Sequence, residues 1–149
     1  MKILFVCTGN ICRSPTAHGV VRQLCKNRNI NNIKCDSAAL YDYHIGNPPD
    51  KRAIEIAGKF GIDISDIKAR KIKLIDFEVF DLILGMDIGH VEGLKKIGDD
   101  KNTIDLFLNL SKKTGVSVPD PYYGDKNDFI YSFKLIEYGA NAIIKKFQY

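Results

Sequence analysis

A cysteine, an arginine and a serine stand close together in the segment Cys7-Thr8-Gly9-Asn10-Ile11-Cys12-Arg13-Ser14-Pro15. Backbone N–H groups of a tight loop, followed by the positive end of a helix, can surround an oxyanion. Arg13 adds a planar guanidinium that can donate to two phosphate oxygens at once. The same positive field favours the thiolate form of Cys7, and the Ser14 hydroxyl can donate a hydrogen bond to that sulfur. The pattern predicts a nucleophilic sulfur inside an anion site, and we call residues 8–14 the phosphate loop.

A less specific interpretation of the same residues competes with this one. A single cysteine after a strand is usually a small buried hydrophobic side chain, and a Cys followed six residues later by Arg-Ser also occurs by chance. The placement favours chemistry, because an apolar strand precedes the loop and Gly9 and Asn10 are typical of a tight turn. Ser14 and Pro15 are then expected as the N-cap and the first residue of the next helix.

Length and charge limit the classes of function. A chain of 149 residues is most simply one domain, residues 1–149, with room for a sizeable core. The formal net charge of +4 is mild and the basic residues are scattered, so nucleic-acid binding is poorly supported and only a weak attraction for anionic substrates is expected. No apolar run reaches membrane-spanning length, and the one at the N-terminus is too short for a signal peptide.

The cysteines and histidines do not form a metal-binding pattern. All four cysteines lie in the first quarter of the chain, without zinc-type pairing to histidine, and two of them fall within the proposed site. A secreted disulfide scaffold is therefore not expected, and the chain is predicted to be cytoplasmic. His18, His44 and His90 are interpreted as structural or exposed side chains.

Apolar strands alternate with amphipathic helices along the chain. This order predicts an α/β fold, a single doubly wound domain with the phosphate loop after the first strand, where open α/β sheets bind ligands. Strands are predicted at residues 2–6, 33–37, 79–84 and 102–106, and helices at residues 15–27, 50–60, 90–97 and 129–147. The basic segment at residues 61–74 is interpreted as a solvated surface.

A second informative segment is Val118-Pro119-Asp120-Pro121-Tyr122-Tyr123-Gly124-Asp125. The two prolines hold Asp120 in an extended loop, and the segment is either a plain turn with tyrosines covering the core or an acid placed over the phosphate loop. The loop at residues 38–49, which contains Tyr41, Tyr43 and His44, is likewise either a surface connection or a wall for an aromatic group. The residues alone leave both questions open.

With both segments in view, the whole chain closely resembles the low-molecular-weight protein tyrosine phosphatases. The resemblance rests on the segment from Val6 to Pro15, on Asp36-Ser37-Ala38 and on Asp120-Pro121-Tyr122-Tyr123-Gly124. It implies a four-stranded parallel sheet flanked by helices, no metal or organic cofactor, and hydrolysis of phosphotyrosine in proteins and of aryl phosphates through a phosphocysteine. Tyrosine-phosphorylated proteins or peptides would be the partners, and inorganic phosphate a product inhibitor, with no nucleic acid or membrane involved.

The resemblance also implies a role for each site residue. Cys7 would attack phosphorus and Asp120 would be the general acid and base. The remaining implied roles are phosphate binding by Arg13 and the loop residues Thr8, Gly9, Asn10, Ile11, Cys12 and Ser14, bracing of the loop by Asn10, and an aromatic slot formed by Tyr43, Tyr122 and Ile11 with Tyr123 beside it. Cys12 matches a cysteine that can form a reversible disulfide with the nucleophile. Tyr122 and Tyr123 match positions that can be phosphorylated in some family members.

The chain departs from the family pattern at three positions. Ile67 stands where many members have a histidine that holds the loop asparagine, so Asn10 is expected to be braced in another way. Tyr43 replaces a tryptophan of some members, and Thr8 is small and polar where some carry a larger apolar residue.

Two other functions are weighed against the phosphatase. A thioredoxin-coupled arsenate reductase shares the fold and the loop, but it needs further cysteines well along the chain, and no cysteine follows Cys35. A phosphopeptide-binding module without turnover would be expected to lack Cys7, Arg13 or Asp120, and all three are present.

Overall fold

Four parallel strands form one sheet in the order β2-β1-β3-β4. The structure, a computed structural model, describes residues 1–98 and 103–149. The strands are β1 (Lys2–Cys7), β2 (Lys34–Ala39), β3 (Leu82–Gly85) and β4 (Ile104–Leu106). The helices are α1 (Arg13–Asn27), α2 (Lys51–Lys59), α3 (Asp76–Val79), α4 (Ile88–Ile97) and α5 (Lys126–Phe147), with a 3-10 helix at Phe107–Leu110.

The central strand β1 is buried on both faces, as its apolar sequence predicts. Ile3 and Phe5 belong to the larger hydrophobic cluster, which includes residues of α1 and α5. Leu4 and Val6 point to the other face and pack in a second cluster that includes Leu94 of α4. The α/β fold with a four-stranded parallel sheet and flanking helices is confirmed.

The beginning of α1 differs from the prediction. The helix starts at Arg13 with Cys12 as its N-cap residue, and no side chain caps it, whereas Ser14 and Pro15 were expected as N-cap and N1. The Ser14 hydroxyl is instead directed to Cys7 and Asn10, and it makes no capping bond. The first amides of α1 are therefore left without a side-chain partner.

The third and fourth strands are shorter than predicted. Val79 ends the helical turn α3, and β3 begins only at Leu82, so the predicted strand at residues 79–84 was wrong in its first half. The Asp76 carboxylate accepts from the backbone N–H of Lys73 at the start of this turn, and this bond favours the turn over an earlier strand. The fourth strand is present as β4, and residue 102 of its predicted range lies outside the described residues.

The second helix begins where the sequence predicts. The Asp50 side chain caps α2 by accepting from the backbone N–H of Arg52, and Gly61 follows the helix with a φ of 79°. Ile56 of this helix is buried, whereas Phe60 at its C-terminal end is exposed. Among the described residues, no helix combines the length and the apolar character needed to cross a membrane.

Candidate active site

The phosphate loop joins the end of β1 to the start of α1. Asn10 adopts a left-handed conformation with a φ of 57°, which an asparagine tolerates better than most residues. Its fully buried side chain donates from Nδ2 to Ser14 Oγ over 2.7 Å. Ser14 Oγ lies 3.0 Å from Cys7 Sγ. Because Oγ already accepts from Asn10, its own hydrogen is directed to the Cys7 sulfur, where it stabilises a thiolate.

Asn10 is braced by a neighbouring backbone group rather than by a histidine. Its Oδ1 accepts from the backbone N–H of Arg70 over 3.1 Å. The Arg70 guanidinium in turn donates to Asp36 and to both carboxylate oxygens of the buried Asp76. Ile67, which was noted above as standing in place of a bracing histidine, is a buried core residue. The prediction that residues 61–74 form a solvated surface is therefore wrong for Arg70, because the carboxylates of Asp36 and Asp76 hold its side chain near the phosphate loop.

Arg13 is almost completely buried and is oriented by groups far away in sequence. Its Nη1 donates to Asp87 Oδ2 over 2.8 Å and to the carbonyl oxygen of Val118 over 3.0 Å. These bonds use both hydrogens of Nη1, so Nε and Nη2 remain for an anion in the loop. Nη2 lies 3.5 Å from Asp120 Oδ2.

Asp120 stands at the edge of the same cavity. Its Oδ1 accepts from the backbone N–H of Tyr122, which fixes the carboxyl group and leaves Oδ2 toward Arg13. The side chain is 44% exposed, so water can reach it. The extended loop predicted from the two prolines thus carries Asp120 over the phosphate loop, and this geometry favours the acid interpretation over a plain turn.

A cavity of about 220 Å³ lies above the phosphate loop. It is lined by Cys7, Thr8, Gly9, Ile11, Cys12, Arg13, Tyr43, His44, Asp120, Tyr122 and Tyr123. Tyr43 is 68% exposed and stacks on Tyr41, and Tyr123 is 92% exposed and meets Tyr122 edge-on. The loop at residues 38–49 is therefore one wall of the cavity, an outcome that the sequence left open.

Two residues of the site were missed by the sequence analysis. Asp87 caps α4, accepts from Arg13 and forms a reciprocal capping box with His90. His90 is buried and lies 2.8 Å from Thr8 Oγ1 through its Nε2. Burial, together with the nearby charge of Arg13, lowers the pKa of His90 to about 4, so its ring is neutral at neutral pH. The spacing Asp87-x-x-His90, just after a predicted strand, was a signal that could have drawn attention to this helix start.

The other cysteines are less suited to chemistry than Cys7. Burial, and then the neighbouring charge of Cys7, raises the pKa of Cys12 far above its ordinary value. Burial also raises the pKa of Cys35 to about 12. All four cysteines are free thiols in this structure, and the reversible disulfide between Cys7 and Cys12 stays a prediction.

Comparison with known proteins identifies the family. A family model for low molecular weight phosphotyrosine protein phosphatases matches residues 2–148. The human low molecular weight phosphotyrosine protein phosphatase is 42% identical over 133 residues, which are 86% of this chain and 84% of that protein. The chain belongs to this phosphatase family.

Solved structures agree with the family assignment. YfkJ from Bacillus subtilis has a TM-score of 0.92 and 34% identity, covering 99% of this chain and 94% of that chain. Wzb from Vibrio vulnificus, solved in complex with benzylphosphonate, has a TM-score of 0.86 and 35% identity, covering 97% of each chain. The phosphatase family thus accounts for nearly the whole length of the protein, and not for the phosphate loop alone.

Proposed function

We propose that this phosphatase hydrolyses phosphotyrosine in proteins or peptides through a phosphocysteine at Cys7. The observation that carries the proposal is the meeting of Cys7, Arg13 and Asp120 at one cavity, with Ser14 directing a hydrogen to the Cys7 sulfur. The whole chain, residues 1–149, would act as one catalytic domain. Because the attacking group is a reduced thiol, the cytoplasm is the compartment that suits it.

In the first step, the Cys7 thiolate attacks phosphorus in line with the phenolic oxygen of the substrate. A bond forms between Sγ and phosphorus while the bond from phosphorus to the phenolic oxygen breaks. Arg13 and the amides of the phosphate loop neutralise the charge on the other phosphoryl oxygens, which is most of what this reaction needs. Asp120 gives its proton to the departing phenolate, and tyrosine leaves as a neutral phenol.

In the second step, a water molecule attacks the phosphocysteine from the place that the phenol has left. Asp120 is now a carboxylate and takes a proton from that water. The bond between phosphorus and Sγ breaks, inorganic phosphate forms and the sulfur leaves as a thiolate. Ser14 stabilises this leaving group because its hydroxyl hydrogen already faces Sγ.

The rings around the cavity favour an aromatic substrate. Tyr43 and Tyr122 line the cavity from two different loops, and aromatic side chains at these places can pack against the phenyl ring of phosphotyrosine. Phosphoserine has no ring to make this contact. Inorganic phosphate, which is the product, would occupy the same loop and inhibit competitively.

The two competing functions are less well supported. An arsenate reductase of this fold would need cysteines beyond Cys35 to carry the disulfide outward, and the chain has none. A binding module without turnover would have no need for Asp120 facing Arg13.

Hydrolysis of p-nitrophenyl phosphate at pH 5–6, in the presence of EDTA, tests the proposal directly. We expect turnover by the wild-type protein and none by Cys7→Ser. On an aryl phosphate with a basic leaving group, such as phenyl phosphate, we expect Asp120→Ala to lose roughly 10²–10⁴ in kcat. Cys7→Ser is expected to keep its affinity for inorganic phosphate, measured by calorimetry. Absence of turnover by the folded, reduced wild-type protein would refute the proposal and favour the binding module.

A further inference from the structure

Thr8 and His90 form a contact that the reaction described above does not use. Thr8 directly follows Cys7, whereas His90 lies in the first turn of α4 on another part of the fold. His90 Nε2 and Thr8 Oγ1 are 2.8 Å apart, which is a short hydrogen bond. His90 is only 3% exposed, so this bond is shielded from bulk water.

The direction of this hydrogen bond follows from the other nitrogen of the ring. The backbone N–H of Asp87 donates to His90 Nδ1 over 3.2 Å, which requires a lone pair on Nδ1. Asp87 Oδ1 lies 3.3 Å from Nδ1 but accepts its hydrogen from the backbone N–H of His90, over 2.9 Å. The hydrogen of the neutral ring is therefore on Nε2 and is donated to Thr8 Oγ1. The pKa of His90, lowered to about 4 by burial and by the charge of Arg13, supports a neutral ring over the working pH range.

The hydrogen of the Thr8 hydroxyl is then available for another partner. Within residues 1–98 and 103–149, His90 is the one side chain or backbone group bonded to Thr8 Oγ1. Thr8 lines the cavity together with Cys7, Arg13 and Asp120. When a substrate binds in this cavity, a phosphoryl oxygen would be the acceptor for the hydrogen of the Thr8 hydroxyl.

We propose that Thr8 donates its hydroxyl hydrogen to an oxygen of the bound phosphoryl group, and that His90 is the positioning residue that orients this hydroxyl. The proposal rests on the phosphatase function and adds a side-chain donor to the arginine and the loop amides. Donation from His90 also polarises the hydroxyl, which strengthens the bond that the hydroxyl makes in turn.

One carboxylate connects the two side-chain donors. Asp87 Oδ2 accepts from Arg13, and Asp87 Oδ1 accepts from the backbone N–H of His90. The start of α4 therefore holds both Arg13 and the His90–Thr8 pair in place. Thr8 and Arg13 approach the cavity from the two ends of the phosphate loop.

Four variants test the proposal, with p-nitrophenyl phosphate as substrate and inorganic phosphate as competitive inhibitor. Thr8→Val keeps the side-chain shape and removes the hydroxyl, and we expect kcat/KM and phosphate affinity both to fall roughly 10- to 100-fold. Thr8→Ser keeps the hydroxyl and recovers most of the loss. His90→Leu removes the orienting hydrogen, whereas His90→Gln can still accept from the N-cap amide and donate to Thr8, so it recovers part of the loss.

The combination Thr8→Val with His90→Leu separates positioning from a purely structural role. If His90 acts through Thr8, the double variant is no less active than Thr8→Val alone. Multiplicative losses in the double variant would overturn the role of His90. Thr114→Val, at an exposed threonine that does not line the cavity, is the matched control and is expected to behave as wild type.

Failure of this proposal is distinguishable from failure of the phosphatase function. If Cys7→Ser is inactive but Thr8→Val has the kcat/KM of the wild type, the proposed role of Thr8 is overturned and the phosphatase function stands. If the wild-type protein shows no turnover, phosphate affinity is compared in the Cys7→Ser background with and without Thr8→Val. Equal affinities there overturn the proposal, and a 10- to 100-fold weaker affinity supports it.

Discussion

Asp87 makes two separable contributions, which two substitutions at this position can resolve. Its Oδ1 accepts from the backbone N–H of His90 and caps α4, and its Oδ2 accepts from the buried Arg13. Alanine removes both bonds. Asparagine has a single acceptor oxygen, so it can cap the helix but then presents its NH₂ group to Arg13.

The expected losses follow from these contacts. Loss of an N-cap costs about 1 kcal/mol. Loss of a hydrogen bond between charged groups costs about 1.5–3 kcal/mol, and Arg13 keeps the Val118 carbonyl as a partner. We therefore expect Asp87→Asn to lower the free energy of unfolding by about 1.5–3 kcal/mol and Asp87→Ala by about 1 kcal/mol more.

Urea unfolding followed by circular dichroism measures these differences, and kcat/KM for p-nitrophenyl phosphate is measured in parallel. Both variants misorient Arg13, so both should lose activity. Asp87→Ala also removes the cap that holds His90 beside Thr8, so it should lose at least as much activity as Asp87→Asn. A fully active Asp87→Asn, or equal stability losses in the two variants, would refute this division of roles.

The pH dependence gives a second check on the ion pair between Asp87 and Arg13. Partial burial opposes ionisation of Asp87, but the neighbouring His90 and Arg13 outweigh it and lower the pKa of the carboxyl below its ordinary value of 3.8. A carboxyl with a lowered folded-state pKa stabilises the fold above its unfolded-state pKa and loses this effect as the pH falls through the folded-state value. The stability difference between wild type and Asp87→Asn should therefore be constant near neutral pH and shrink below about pH 4.

Two further predictions concern the nucleophile and the core. Ser14→Ala removes the donor to Cys7 Sγ, so we expect kcat to fall roughly 10- to 100-fold. Release of the thiolate then becomes slow, and stopped-flow traces should show a burst of p-nitrophenol. An unchanged kcat would contradict this role. Gly139→Ala on α5 places a Cβ against the fully buried ring of Phe107, and this ring has little room to move because it packs edge-on to Phe5. The free energy of unfolding should therefore fall by about 1–3 kcal/mol. Gly58→Ala on α2 meets no atom within 4 Å and is the matched control, expected to raise stability by about 0.5–1 kcal/mol in the same urea titration.

The parts of the site that lie within a few residues of one another could be predicted from the sequence. An apolar strand, a tight loop at Gly9 and Asn10, and a helix that follows the loop require no knowledge of distant contacts, and the structure has all three in that order. The order of strands and helices likewise predicts the sheet. Parallel pairing then places the ends of β1 and β3 at one edge, which brings Asp87 next to the loop.

The residues that orient the loop could not be predicted in this way. Asp87 is 74 positions from Arg13, His90 is 82 positions from Thr8, and Arg70 is 60 positions from Asn10. Each contact depends on how helices and loops pack over the sheet, and an Asp, a His or an Arg in these segments is equally compatible with an exposed surface. The segment at residues 61–74 illustrates this, because Arg70 alone among its four basic residues is held inward by carboxylates.

The wrong prediction at the start of α1 has a physical reason that bears on function. A Ser-Pro pair at a helix start is a reliable capping signal, because the hydroxyl can accept from a free amide of the first turn. In this protein the helix starts one residue before Ser14, and the Ser14 hydroxyl points to Asn10 and Cys7 rather than to the free amides of the first turn. The helix start is left without a side-chain cap, and its free amides are the groups that a phosphoryl oxygen needs. A local rule fails at this position because the same side chain bonds Asn10 and faces the Cys7 sulfur, and the uncapped amides are left for the proposed anion site.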